Sequence, residues 1–168
     1  MIIWFDDGYE VTYTKAYPVM KKLGLTGIVA LATGYVGLNM VICTLRPGYG
    51  GNQPPRQMLS IDQLKELVAD GWEIASHSVT HPYRFDELTI EDTRWELLAS
   101  RDWIKDNLSV TPKKFVVPRH LIRPDQKDLV KQYYEYMRPL GGRPADTERV
   151  YHWLINVAEI RSFAEHKP

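Results

Sequence analysis

Ile2-Ile3-Trp4-Phe5-Asp6-Asp7-Gly8-Tyr9, residues 2–9, is the stretch from which the fold is read. Four large apolar residues end abruptly at two acids and a glycine, the pattern of a buried strand feeding a turn. Downstream, Ala16, Val19, Met20 and Leu23 recur at helical spacing, and Gly24 follows as a C-terminal cap. Pro18 is tolerated only in a first helical turn, so this helix is expected to begin near Ala16 or Tyr17. Ile28–Leu31 reads as a second buried strand. The opening of the chain is therefore strand, helix, strand.

The same alternation continues. Residues 33–59 form a long irregular stretch rich in glycine and proline, and loops of that length in compact domains are usually functional or mobile. Ser60-Ile61-Asp62-Gln63 has the form of a capping box, and Ile61, Leu64, Leu67 and Val68 mark the apolar face of the helix it opens. Gly71 ends that helix, and Trp72–Ala75 is a third strand closing on Ser76-His77. Thr89 with Asp92 opens a long helix whose inward face carries Ile90, Leu97, Leu98, Ile104 and Leu108. Phe115–Val117 is a fourth strand stopped by Pro118. A helix over Gln126–Tyr133, a short strand over Tyr134–Met137, a strand near Val150 and a final helix complete the reading. The five tryptophans, at 4, 72, 95, 103 and 153, are core candidates. Short apolar strands alternating with amphipathic helices give an α/β fold with parallel strands, as an open sheet or a barrel.

The composition sets bounds. With 168 residues, 44% of them hydrophobic, the chain is read as one domain over residues 1–168, large enough to bury a core. Twenty-one basic residues balance twenty-one acidic ones. A neutral chain has no electrostatic reason to seek nucleic acid or an anionic membrane. Cys43 is the only cysteine, which excludes an intrachain disulfide and a cysteine-based zinc site. No signal peptide is visible and no apolar run approaches the ~18 residues of a membrane span, so a cytoplasmic location is expected.

Three strands end in polar clusters: Asp6-Asp7, then His77 with His81, then Arg119-His120. In parallel α/β folds the carboxyl ends of the strands share one side, so the clusters can converge. Two imidazoles and a carboxylate are sound ligands for zinc or a similar divalent ion, and a second carboxylate beside them can take a proton from water. Asp6-Asp7 supplies both acids. His77 and His81 are four apart, a spacing that presents both to one ion from a single turn. The helical metalloprotease motif needs a glutamate after its first histidine; Ser78 stands there.

Trp4-Phe5-Asp6-Asp7-Gly8-Tyr9 resembles the first motif of the polysaccharide deacetylases, the NodB-like carbohydrate esterases. Ser76-His77-Ser78-Val79-Thr80-His81-Pro82 resembles their second. The resemblance runs from about Met1 to Met137. It implies a distorted (β/α) barrel related to the TIM barrel. The chain is short for that barrel, which leaves one or two closing elements to be missing or supplied by a partner. It implies Asp7, His77 and His81 as ligands of a divalent metal, zinc first, with cobalt, nickel or manganese as alternatives. It implies Asp6 as general base, and an N- or O-acetylated carbohydrate as substrate.

Two features depart from the family pattern. Its third motif places an arginine before a proline-rich turn, where it orients the catalytic aspartate. Here the order is Val117-Pro118-Arg119-His120, and Arg119 is the residue assigned to reach Asp6. The closing Leu-x-His motif, whose histidine protonates the leaving group, has no counterpart. His152 in Val150-Tyr151-His152 is the nearest candidate and His120 its rival. Two alternatives therefore stand beside a deacetylase: a hydrolase of small cyclic amides on the same scaffold, and a sugar-binding domain that has lost turnover.

Overall fold

The computed structural model describes residues 2–40 and 56–138. Strand β1 (Trp4–Phe5) leads to helical backbone that starts near Val11, passes through a π-helical turn at Thr12–Ala16 and runs unbroken into α1 (Tyr17–Lys22). The helix thus begins earlier than the expected Ala16 or Tyr17, and Pro18 is accommodated directly after the π turn, where the regular bonding pattern is already interrupted. Strand β2 (Ile28–Leu31) follows, then a 3-10 turn at Thr33–Tyr35. Two short strands, β3 (Asn39–Met40) and β4 (Arg56–Gln57), pair antiparallel at the ends of the long irregular stretch. Helix α2 (Ile61–Ala69) begins at a reciprocal capping box: the Ser60 hydroxyl accepts from Gln63 N–H, and the Gln63 side chain accepts from Ser60 N–H. Then come β5 (Glu73–Ser76), α3 (Ile90–Leu108), β6 (Lys114–Val116), α4 (Pro124–Tyr133) and β7 (Tyr136–Arg138).

Five parallel strands form one sheet in the order β1-β2-β5-β6-β7, so neighbours in the sheet follow each other along the chain. That progression is the one a (β/α) barrel uses. The sheet curls until its two outer strands meet through side chains. Trp4 stacks on Tyr136 with ring centroids 6.4 Å apart, and the Arg138 guanidinium carbon lies 4.5 Å from the Trp4 ring centroid. The result is a half-barrel with helices outside.

The strands bury both faces. Trp4, Ile28, Ala30, Ala75 and Val116 pack together on one face, where two alanines leave room for the curl. Phe5, Val29, Leu31 and Ile74, alternating with them, face outward onto Met20, Leu64, Leu67, Trp72 and Ile104. Each such fully buried side chain contributes about 1.5–3 kcal/mol relative to exposure. A second cluster of Phe85, Leu97, Phe115, Val117, Leu129, Val130 and Tyr134 packs α3 and α4 around β6.

The structure corrects several details. Trp95 is not core: it is 54% exposed on the outer face of α3, because the buried stripe of that helix runs through Thr93, Glu96, Leu97, Ser100, Ile104 and Leu108. Ile90 and Leu98 are half-buried rather than inside. The third, fourth and fifth strands are offset by one or two residues from their expected bounds. Cys43, Trp153, the strand near Val150 and the final helix lie outside the described residues. Among those described, no helix is long and apolar enough to cross a membrane.

Candidate metal and catalytic centre

Three strand-end loops build the site. Asp6 and Asp7 leave β1, and the turn needs left-handed backbone at Asp7 (φ 72°) and Gly8 (φ 84°). A Cβ at Gly8 would meet Leu31 Cδ1 at 2.7 Å, so the tight turn also needs the missing side chain. His77 follows β5 directly. The route to His81 is not a helical turn: Ser78 (φ 68°) and His81 (φ 49°) are both left-handed. Pro118, Arg119 and His120 follow β6, again with positive φ at the last two. Six non-glycine residues among those described have positive φ. Five sit in these three loops; the sixth, Ser109, ends α3. Backbone held in such sparsely populated regions gathers at functional sites.

The expected ligand atoms converge. Asp7 Oδ1 lies 3.5 Å from His77 Nε2 and 3.4 Å from His81 Nε2, and all three ligand atoms fall within 4.8 Å of one another. Atoms 2.0–2.2 Å from a common tetrahedral centre stand about 3.3–3.6 Å apart, so these spacings suit a zinc-sized ion. Both histidines are buried, with ring centroids 4.6 Å apart. His77 Nδ1 lies 2.7 Å from the Val116 carbonyl oxygen. A carbonyl only accepts, so Nδ1 carries a proton and Nε2 is the nitrogen turned to Asp7, the one that would offer a lone pair to an ion.

On their own, Asp7 stays an anion and His81 a neutral base, while His77 is drawn toward its protonated form. Burial pushes the Asp7 carboxyl up, but the bond from His77 and the charges of His81, His77 and Arg119 outweigh it and hold the group at about 2. Burial and the neighbouring His77 push His81 down to about 3, leaving a neutral imidazole. Burial acts on His77 in the same direction, but its bond to Asp7 and the charges of Asp6 and Asp7 prevail and raise it. An anion between two imidazoles favours a cation at its centre.

Asp6 stands beside this group, and it has a guanidinium partner that the sequence did not single out. Arg138 Nη2 donates to Asp6 Oδ1 at 2.6 Å and to Oδ2 at 2.5 Å. Arg119, assigned to Asp6 from the sequence, is turned by its left-handed backbone so that its guanidinium carbon lies 5.7 Å from the Tyr83 ring centroid. From there its charge acts on Asp7. His120 is half-buried in the same loop. His152 lies outside the described residues.

Arg138 is the residue that the sequence reading missed. The expected strand stopped at Met137, one position short, and so left the arginine outside the strand ends. A signal was present: Arg138 directly follows the expected strand Tyr134–Met137, as Asp6 directly follows Phe5. At 2% exposure it is a buried cation, a placement that requires an anionic partner.

Residues 1–137 match the polysaccharide deacetylase family model. The polysaccharide deacetylase homologue YxkH of Bacillus subtilis (strain 168) is 28% identical over 101 residues, covering 60% of this chain and 30% of that protein. Among solved structures, a de-N-acetylase from Aggregatibacter actinomycetemcomitans superposes with a TM-score of 0.69 at 21% identity, over 96% of this chain and 74% of that one. The Streptococcus pyogenes deacetylase PplD, solved in complex with acetate, superposes with a TM-score of 0.66 at 20% identity, over 80% of this chain and 53% of that one. This chain thus spans under a third of its curated relative and about half of PplD.

Proposed function

This chain belongs to the polysaccharide deacetylase family, and on that premise we propose that it hydrolyses acetyl groups from an N- or O-acetylated carbohydrate. The observation that carries the reading is the meeting of Asp7, His77 and His81 at 3.4–3.5 Å with a second carboxylate, Asp6, one residue away. Asp7, His77 and His81 are the residues that would hold a divalent ion, with zinc the best match to the donor set and spacing. Such an ion, when bound, polarises a carbonyl oxygen and lowers the pKa of a bound water to about 7.

The remaining work belongs to the chain's own side chains. Asp6 accepts the proton released as water attacks the acetyl carbon. The acetyl C–N or C–O bond then breaks, the departing sugar nitrogen or oxygen takes up a proton, and acetate is released. Arg138 fixes the orientation of that carboxylate through both of its oxygens. The Val116 carbonyl holds the His77 ring in the tautomer that offers Nε2. Arg119 lends positive charge beside Asp7. General base catalysis of this kind contributes about 10²–10⁴-fold.

Acetate release from short N-acetylglucosamine oligomers and from acetylated xylan, with and without chelator, tests the reading. Chelator-sensitive release from either class supports it. No release from acetylated sugars, together with turnover of a small cyclic amide, would transfer the same centre to a different substrate.

A further inference from the structure

One buried acid close to the centre has no part in the chemistry above. Glu96 of α3 is 4% exposed and faces the segment between the two histidines. Its Oε2 accepts from the backbone N–H groups of Val79 at 2.7 Å and Thr80 at 3.0 Å, and its Oε1 accepts from the Thr80 hydroxyl. The carbonyls of the same segment are held by the turn at Thr33–Tyr35. Thr33 N–H donates to the Ser78 carbonyl at 3.1 Å, Gly34 N–H to that of Val79 at 3.0 Å, and the Tyr35 hydroxyl to that of Thr80. His81 N–H is held by Ser78 Oγ at 3.0 Å.

Residues 78–81 belong to no helix or strand, so these bonds do for the segment what a ladder does elsewhere. Ser78 and His81 adopt left-handed backbone that such residues disfavour, and the surroundings must impose it. An ionised carboxylate receiving three donors is the strongest of the available restraints. It also sits on α3, at 19 residues the longest helix among the described residues, which is fixed to β5 through the 2.7 Å Ser76–Ser100 hydroxyl pair.

We propose that Glu96 is a positioning residue for the metal-binding loop, setting the place of His81 relative to His77 and Asp7 by clamping the Val79 and Thr80 amides to α3. This rests on the reading of Asp7, His77 and His81 as a metal centre. The clamp acts through backbone, so it alters ligand geometry without touching ion or substrate.

The test uses the full chain with zinc or cobalt(II) as the probe. Affinity is measured by titration calorimetry, and amide hydrogen exchange at Val79 and Thr80 is followed in metal-free protein. Glu96→Ala should bind about 10–100-fold more weakly and exchange faster at both amides. Thr80→Val, exposed and missing only the hydroxyl contact, should show a smaller loss. Glu96→Gln keeps one acceptor oxygen and should fall between Glu96→Ala and the unmodified chain. Ile104→Val, on the same helix but inside the core, lowers stability without reaching the loop and should leave affinity unchanged.

A folded Glu96→Ala with unchanged affinity overturns the proposal. So does an equal loss in Ile104→Val, because the effect would then be general destabilisation. If Glu96→Ala does not fold, unchanged affinity in both Thr80→Val and Glu96→Gln overturns it instead. If the unmodified chain binds neither metal, the metal reading fails by itself. Exchange at Val79 and Thr80 then decides whether Glu96 holds the loop, with unchanged exchange rejecting the clamp.

Discussion

Arg138 and Asp6 stand 132 residues apart, at the ends of the last and first strands of the sheet, and one guanidinium nitrogen of Arg138 reaches both oxygens of the Asp6 carboxylate. The contact links the curl of the sheet to the chemistry. If β7 did not swing round to β1, the carboxylate assigned as base would lack the group that orients it.

Arg138→Lys should therefore lower kcat by about 10–100-fold while zinc still binds with unchanged stoichiometry. The ammonium of lysine sits on a shorter, flexible stem and lacks the planar group that lies over the Trp4 ring, so it holds the carboxylate in a less fixed orientation. Arg138→Ala should be worse. It strips a partner from a mostly buried ion pair, a loss of up to about 3–5 kcal/mol, reduced here because Asp6 is partly open. Kinetics alongside metal analysis check both, and full activity in Arg138→Ala would remove the proposed role.

Asp6→Asn should retain metal and lose about 10²–10⁴-fold in kcat, since the amide cannot accept the proton. His81→Ala should lose metal and activity together, because its Nε2 is one of the three converging atoms. Metal content beside activity in the two variants separates base from ligand. Unchanged turnover in Asp6→Asn would rule out the assignment.

Zinc should stabilise the folded chain. At a free concentration 100 times Kd, binding contributes about 2.7 kcal/mol, which for a domain of this size raises Tm by roughly 5–10 °C. Differential scanning calorimetry with zinc and with excess chelator measures the shift. A chelator-treated sample melting at the same temperature as the loaded one would count against a folded-state metal site.

Gly34→Ala should disturb the loop at Val79, where Gly34 N–H already holds the carbonyl. A Cβ there would meet the Val79 carbonyl oxygen at 2.8 Å and Val79 Cγ1 at 3.2 Å. Crowding of this kind costs about 1–3 kcal/mol. The expected signature is weaker metal binding together with a modest fall in Tm, read by titration calorimetry and thermal melting. Wild-type affinity would mean the loop can relax without moving His81.

Phe115→Ala tests the support beneath the site. Phe115 is fully buried in β6, with Phe85 at 5.7 Å and Tyr134 at 5.3 Å between ring centroids. Truncation should cost about 3–5 kcal/mol, seen as a lower urea midpoint. A change under 1 kcal/mol would show that the α3–α4 cluster repacks around the gap.

Local patterns in the chain carried a large share of this description. The Asp6-Asp7-Gly8 turn and the Ser60–Gln63 capping box each follow from interactions within a few residues, and the structure contains both. The His77/His81 pair does meet Asp7, but through backbone held by distant Glu96, Thr33 and Gly34 and not by the helical turn that the spacing suggested. The burial of Trp95 was misjudged because its size says nothing about which way a long helix faces.

The amino-acid sequence by itself determined the alternation of strands and helices, and the residue types able to hold a metal. Those depend on periodicity, capping and ligand chemistry, which are local properties. Only the tertiary structure decided which guanidinium meets Asp6, and that Glu96 holds the loop between the histidines. Both contacts span distant segments. They depend on how far the sheet curls and on the rotation of α3 over β5, quantities set by packing across the whole core and encoded at no single position.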